Sequence, residues 1–259
     1  AAIIRQGGLA AFPTETVYGL GANALDPQAV EKIFQAKGRP ADNPLIVHIA
    51  EVSQVYDLAD DVTVPALRVM EAFWPGPLTV VLAKKPLVPD EVTAGLDTVA
   101  IRMPDHPVAL SLIRQAGVPV AAPSANSSGR PSPTTAGHVI KDLEGRIDIV
   151  VDGGPCRIGV ESTVLDLTHE PPVILRPGAI TREALEGVIG HVELASALFQ
   201  GEQDQSPRSP GVKYTHYAPR AELLVVAGGD FRDIYHKANE IVLEQRRSNK
   251  KGGLLACCE

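Results

Sequence analysis

Short apolar runs alternate along the chain with segments whose apolar residues recur every three or four positions. This pattern predicts strands and amphipathic helices layered as an α/β fold. The strand candidates are residues 9–12, 45–49, 78–82, 99–103, 118–121, 147–151, 162–166 and 173–175. From 148 to 175 the text reads strand, turn, strand, turn, strand, so the sheet is expected to be twisted and mixed parallel/antiparallel with flanking helices. Helix ends are legible. Asp26 then Pro27 supplies an N-cap and a Pro at the first helical position, and Gly38 closes that helix after Lys37. Segments 65–73 and 107–116 repeat the Pro start, and 134–143 and 181–189 begin at Thr caps.

The texture changes beyond about residue 192. Residues 200–210 (QGEQDQSPRSP) are polar, contain Pro and show no period, which reads as a linker. A strand at 222–227 and a helix at 231–245 follow. One βα unit cannot bury its own face, so these residues read as the start of a second domain. The expected division is a catalytic domain at 1–200, a linker at 201–220, and an incomplete domain at 221–259. Because the chain opens at Ala1 within a helical pattern, both ends are expected to lie inside a longer protein.

At 259 residues, with 44% hydrophobic and 21% charged, the composition is that of a globular protein with a sizeable core. No apolar run reaches the roughly 18 residues of a membrane span, and no signal-peptide layout opens the chain, so a cytoplasmic protein is expected. Lys and Arg number 24 against 31 Asp and Glu, a net charge of −7. Residues 1–200 carry 15 against 23 (−8), and residues 201–259 carry 9 against 8 (+1). This balance disfavours a protein that coats nucleic acid electrostatically. Three cysteines, Cys156 and the adjacent Cys257 and Cys258, form neither a disulfide framework nor zinc-ligand spacing. A reduced compartment and no structural metal are expected.

The chemistry gathers where apolar strands end. Phe12 to Gly21 (FPTETVYGLG) sets hydroxyl, carboxylate and phenol groups between glycines, read either as a site or as a polar turn capped by Thr. Lys37-Gly38-Arg39-Pro40 places two cations at a helix end, with Asn43-Pro44 next. Cations there are favourable by dipole alone, but the stiff X-Pro steps also suit a polyanion. A lone strand histidine such as His48 is more often a core residue than a ligand. Arg102 ends an apolar strand and needs an anion, either a substrate carboxylate or a protein partner such as Glu15 or Asp105. Pro123 to Gly129 (PSANSSG), Gly159 to Val164 (GVESTV) and Leu175 to Gly178 (LRPG) add small hydroxyls, Asn126 and Arg176. Walker A, dinucleotide-binding and Gly-x-Ser-x-Gly spacings are absent. The inventory favours electrostatic clamping of a nucleotide triphosphate beside a small zwitterion over covalent catalysis.

PTETVYGLGA, KGRP with NPL and His48, FWPGPLT, AIRMP, PSAN with SG, GVESTV and LRPG stand in one order over residues 1 to about 220. Together they resemble the YrdC family. SPGVKYTHYAP (209–219) is similar to the linker of its long, two-domain members, the threonylcarbamoyl-AMP synthases. The resemblance implies a YrdC-like domain followed by the start of a Rossmann-like α/β domain. It implies a nucleotidyltransferase that makes threonylcarbamoyl-AMP and pyrophosphate from ATP, L-threonine and bicarbonate, for tRNA threonylcarbamoyl-adenosine modification. By the same resemblance Thr16, His48, Arg102, Ser124 and Ser162 bind threonine. Lys37, Arg39, Asn43, Thr98, Asn126, Thr134, Arg176 and Tyr217 bind ATP, with Lys37 and Arg39 catalytic. Mg2+ comes with ATP rather than on protein ligands, and Tyr217 sits in a lid formed by the linker. tRNA and the threonylcarbamoyl-transfer machinery lie downstream, and no membrane is involved. Glu15 is the candidate if a general base is needed. Two alternatives are a non-catalytic double-stranded RNA or tRNA-binding module, disfavoured by the −8 of residues 1–200, and the YrdC-like part of hydrogenase-maturation carbamoyltransferases, whose zinc-binding cysteines are not seen. The basic run from Arg246 to Lys251 reads as a solvated helix end.

Overall fold

The computed structural model describes residues 1–195, 224, 226 and 230–248. The chain divides into two compact units, Ala1–Ala218 and Pro219–Glu259. In the first, ten strands form one mixed sheet. They are β1 Ala10–Phe12, β2 Gly19–Asn23, β3 Ile46–His48, β4 Leu78–Ala83, β5 Thr98–Arg102, β6 Val120–Ala121, β7 Ile149–Val150, β8 Thr163–Asp166, β9 Val173–Arg176 and β10 Glu193–Leu194. Their order is β10-β9-β8-β4-β5-β3-β6-β2-β1-β7. Parallel pairs (β3 with β5, β4 with β8) sit beside antiparallel ones (β4 with β5, β8 with β9), as expected.

All eight expected strands are present, and the sheet adds β2 and β10. β2 was hidden because GLGAN reads as a turn. Its glycines serve packing instead: a Cβ on Gly21 would lie 2.7 Å from both the Phe12 ring and Val120. Bare backbone there lets the fully buried Phe12 lie across β2 and set its ring edge-on to His48, with centroids 6.1 Å apart.

The helices of this unit are α1 Ala2–Arg5, α2 Pro27–Lys37, α3 Val55–Leu58, α4 Val64–Phe73, α5 Asp90–Thr93, α6 Pro107–Ala116, α7 Ala136–Leu143 and α8 Arg182–Ile189. The cap reading holds at α2, where Asp26 accepts from Gln28 N and Ala29 N and Gly38 closes the helix at φ 63°. Thr63, His106, Thr135 and Thr181 cap α4, α6, α7 and α8. One apolar cluster joins α2, α4 and α8 to the sheet (Ile33, Val69, Leu185), and another joins α1 and α6 (Ile4, Ala109, Ile113).

Register places the chemistry. Arg176 pairs with Val164, Val164 with Thr79, Thr79 with Arg102, and Arg102 with His48. One row across five strands, β9-β8-β4-β5-β3, therefore carries Arg176, Thr79, Arg102 and His48 on a single face. Two residues along, the same face is apolar, with Ile46, Val81 and Ala100 in one small cluster that also holds Val164. Ser162 precedes β8 on that face. A polar row on an apolar floor, at the C-terminal ends of β3 and β5, is where an open α/β sheet offers a crevice.

In the second unit the described element is helix α9, Phe231–Arg247, whose N-cap Asp230 accepts from Arg232 N (2.8 Å) and Asp233 N (3.0 Å). Arg246 and Arg247 are exposed in its last turn, in keeping with a solvated helix end. The expected linker at 201–220 and its Tyr217 lie outside the described residues, as does the strand at 222–227 apart from 224 and 226. Among the described residues no helix is long and apolar enough to cross a membrane.

Candidate active site

A cleft opens over the polar row. Of the expected site residues, Thr16, Lys37, Arg39, His48, Arg102, Ser124, Asn126, Ser162 and Arg176 line it. The chain brings them together from seven separate places.

The turn after β1 is both of the things its sequence allowed. Thr14 Oγ1 donates to Val17 O (2.7 Å) and accepts from Thr16 N and Val17 N (both 3.2 Å), a hydroxyl-capped turn. That turn aims Thr14 and Thr16 into the cleft. Glu15 is 1% exposed. Its Oε1 accepts from Arg102 Nη2 at 2.5 Å and its Oε2 from Asp105 N at 3.1 Å. Glu15, the candidate general base, thus holds the Arg102 guanidinium and the Asp105 backbone and is not among the residues lining the cleft. Tyr18 also turns away, donating to Gly154 O at 2.7 Å, and burial raises its phenol pKa.

Of the two anions the sequence allowed for Arg102, the protein one is present in Glu15. Besides Glu15, Arg102 donates from Nη1 to Thr16 Oγ1 (2.9 Å) and from Nε to Gly76 O (3.2 Å). Asp105, the other candidate, takes Arg157 Nη2 at 2.6 Å. Three of the five guanidinium N–H groups are thus internal, and Arg102 still borders the cleft.

Lys37, 4% exposed at the end of α2, donates from Nζ to Ser124 O, to Asn126 O (2.7 Å) and to Asn126 Oδ1 (3.4 Å). Its own carbonyl accepts from Ser128 N at 3.1 Å. It therefore clasps the 124–128 loop while setting a charge beside the cleft. Burial first, then the Arg39 charge, lowers its pKa to about 7, with Asp142 opposing. Asn126 shapes the same loop, donating to Ser127 O (2.9 Å) and Arg130 O (2.8 Å), and Ser124 Oγ donates to Asn126 Oδ1 (2.6 Å).

Burial and then the Arg102 charge hold His48 down at about pH 3, so the ring stays neutral, with Nδ1 3.2 Å from Ile46 O. Ser162 Oγ lies 2.8 Å from Thr79 Oγ1 and 3.1 Å from Arg176 Nη2. Arg176 also donates to Ser162 O, from Nε at 3.1 Å and Nη2 at 3.0 Å. Cys156 lies near Glu15 and Arg102, but burial raises its thiol to about pH 11, which removes it as a nucleophile. Four cations (Lys37, Arg39, Arg102, Arg176) face two carboxylates, Glu15 on Arg102 and Glu161 in the lining. Basic groups thus outnumber carboxylates around the cleft, which suits a polyanion.

Thr98, Thr134 and Asn43 do not line the cleft. Thr98 begins β5, four residues or about 13 Å from Arg102 at strand rise. Thr134 Oγ1 sits 3.4 Å from His138 Nδ1. Asn43 is fully buried, and neither end of its amide has a partner among the described residues. Asn43→Leu is therefore expected to gain about 1–3 kcal/mol of stability. Thermal melting should read a rise of about 2–12 °C; a fall would show that the amide is paired. Glu161 and Thr79 were not singled out from sequence. Glu161 lies within GVESTV and Thr79 closes FWPGPLT, but a threonine entering an apolar strand reads as ordinary β-propensity.

Residues 2–178 match the family model Sua5_yciO_yrdC, described as "Telomere recombination". The chain belongs to the Sua5/YciO/YrdC family. Residues 180–259 match a second model, "Threonylcarbamoyl-AMP synthase, C-terminal domain". Among curated members, the threonylcarbamoyl-AMP synthase of Pyrococcus abyssi is 54% identical over 256 residues, covering 98% of this chain and 74% of the relative. That of Bacillus subtilis is 55% identical, covering 98% and 72%. Among solved structures, Pyrococcus abyssi Sua5 complexed with L-threonine superposes with a TM-score of 0.93 at 52% identity, covering 98% of this chain and 76% of that one. The mixed sheet with flanking helices is thus the Sua5/YrdC fold expected from the motifs.

Proposed function

We propose that this chain is a threonylcarbamoyl-AMP synthase, a nucleotidyltransferase that converts ATP, L-threonine and bicarbonate to threonylcarbamoyl-AMP, pyrophosphate and water. The observation that carries the reading is one cleft holding both a cationic rim, Lys37 and Arg39, and a floor of neutral hydrogen-bonding groups, Thr16, His48 and Ser162. The rim suits phosphates and the floor a small amino acid. The synthase descriptions of the relatives support the same reading and do not favour the RNA-binding module.

In this reading the threonine amine takes up bicarbonate as a carbamate with loss of water. A carbamate oxygen then attacks the α-phosphorus in line, and pyrophosphate leaves with the electron pair of the broken P–O bond. The protein contributes closeness and charge. Lys37 and Arg39 offset the growing negative charge on the departing pyrophosphate. The 124–128 loop, held by Lys37, offers Ser124 at the wall. Neutral His48 accepts or donates a hydrogen bond without repelling an ammonium group. The described residues hold no group of three or more acidic, His or Cys side chains fit for a metal ion. In this reading Mg2+ would enter on the phosphates of ATP and supply charge neutralisation there. The product would pass to the machinery that modifies tRNA.

The test is pyrophosphate release from Mg-ATP with threonine and bicarbonate omitted in turn. Release that needs both is expected. Release without threonine would point to a different adenylating activity.

A further inference from the structure

Counting partners shows which hydroxyl protons in the cleft are fixed. Thr14 Oγ1 gives its one proton to Val17 O at 2.7 Å and accepts from Thr16 N and Val17 N, both at 3.2 Å, which fills its two lone pairs. Thr16 Oγ1, 2.9 Å from it, accepts from Arg102 Nη1 at 2.9 Å, and the count does not fix its own proton.

At Ser162 the count closes. Arg176 Nη2 donates to Ser162 Oγ at 3.1 Å, and Thr79 Oγ1 lies 2.8 Å away. Thr79 is fully buried in β4, and Ser162 is the partner of its hydroxyl among the described residues. Were Ser162 the donor, the Thr79 proton would be buried with no acceptor, an arrangement folded proteins avoid. Thr79 therefore donates. Ser162 Oγ receives two protons and keeps its own for the cleft it lines.

We propose that Thr79, which does not itself line the cleft, is a positioning residue that makes Ser162 an obligate hydrogen-bond donor, and that Ser162 spends this proton on a carboxyl-type oxygen of the amino-acid substrate. The inference rests on the amino-acid reading of the cleft given above. Two sources share that chemistry, the carboxylate of the free amino acid and the N-carboxylate of its carbamate.

The experiment compares the wild type with Thr79→Val, Thr79→Ser, Ser162→Ala and the Thr79→Val/Ser162→Ala double variant. L-Threonine binding is measured by calorimetry without bicarbonate, and pyrophosphate release with it. Thr79→Val is expected to weaken threonine about tenfold in Kd or KM, the loss of one hydrogen bond, with kcat nearly unchanged. Thr79→Ser should restore the wild-type value, and the double variant should be no worse than Ser162→Ala. A loss already seen by calorimetry assigns the proton to the free carboxylate; a loss seen only with bicarbonate assigns it to the carbamate. If Thr79→Val does not fold, Thr79→Cys, a far weaker donor of similar size, takes its place under the same criterion. Wild-type affinity in the valine variant, no rescue by serine, or losses that add in the double variant would each overturn the inference while leaving the function intact. A wild type that neither binds threonine nor releases pyrophosphate would overturn the functional reading and this inference with it.

Discussion

Lys37→Met is expected to lower kcat/KM for ATP by about 100-fold or more, the scale of losing a preorganised charge at a developing anion. Two effects combine. The cleft loses a cation, and the 124–128 loop loses the ammonium that clasps Ser124 O and Asn126 O. The pH dependence separates Lys37 from other cations. Burial and Arg39 hold its pKa near 7, and the clamp needs the protonated form. In the wild type, kcat/KM for ATP, which reports the free enzyme, should therefore fall as pH rises through about 7. Lys37→Met should lose that limb. Arg39→Ala, which removes the like charge, should move it to higher pH in whatever activity remains. A wild-type profile flat from pH 6 to about 9 would sink the assignment.

Lys37 also tests stability, with the opposite sign. An amine with a pKa lowered by folding binds fewer protons in the native state than in the unfolded one. Between the folded value near 7 and the ordinary lysine value of 10.5, stability on this account rises with pH. Activity and stability are thus expected to run in opposite directions across that window.

Arg102→Met is expected to lose about 3–5 kcal/mol of stability, because it leaves the Glu15 carboxylate buried without its counter-ion. In a unit of this size that corresponds to a fall of roughly 6–20 °C in melting temperature. The companion variant decides the cause. Arg102→Met with Glu15→Gln removes both charges, and by the behaviour of other buried pairs it should recover most of the loss. If the double variant melts as low as the single one, the guanidinium matters through Thr16 and Gly76 O rather than through charge.

The helix ends and central strands were legible because their causes are local. An Asp-Pro start and a glycine in the left-handed region bound α2 within its own sequence. Apolar runs mark β3, β4, β5 and β8 because both faces of these strands are covered. β2 was not legible, since its glycines answer to Phe12 nine residues away and to Val120 across the sheet. The site followed the same divide. Nine of the expected residues meet in the cleft because polar groups at the ends of apolar strands have few other places to go. Thr79 was missed because a threonine in a strand looks the same whether it fills space or aims a serine.

By itself the sequence determined the alternation of strands and helices, the caps, the order of the family motifs and the stock of hydroxyls, cations and amides available to a site. Tertiary structure alone decided how that stock is spent: Arg102 on Glu15, Lys37 on the 124–128 loop, Thr79 on Ser162. The reason is physical. A cap or a helical period is set by neighbours within a turn of the chain, whereas these partners lie 83 to 89 residues apart and meet only through strand order and register. Once burial has excluded water, each hydrogen bond so formed also settles which proton its neighbour has left to offer.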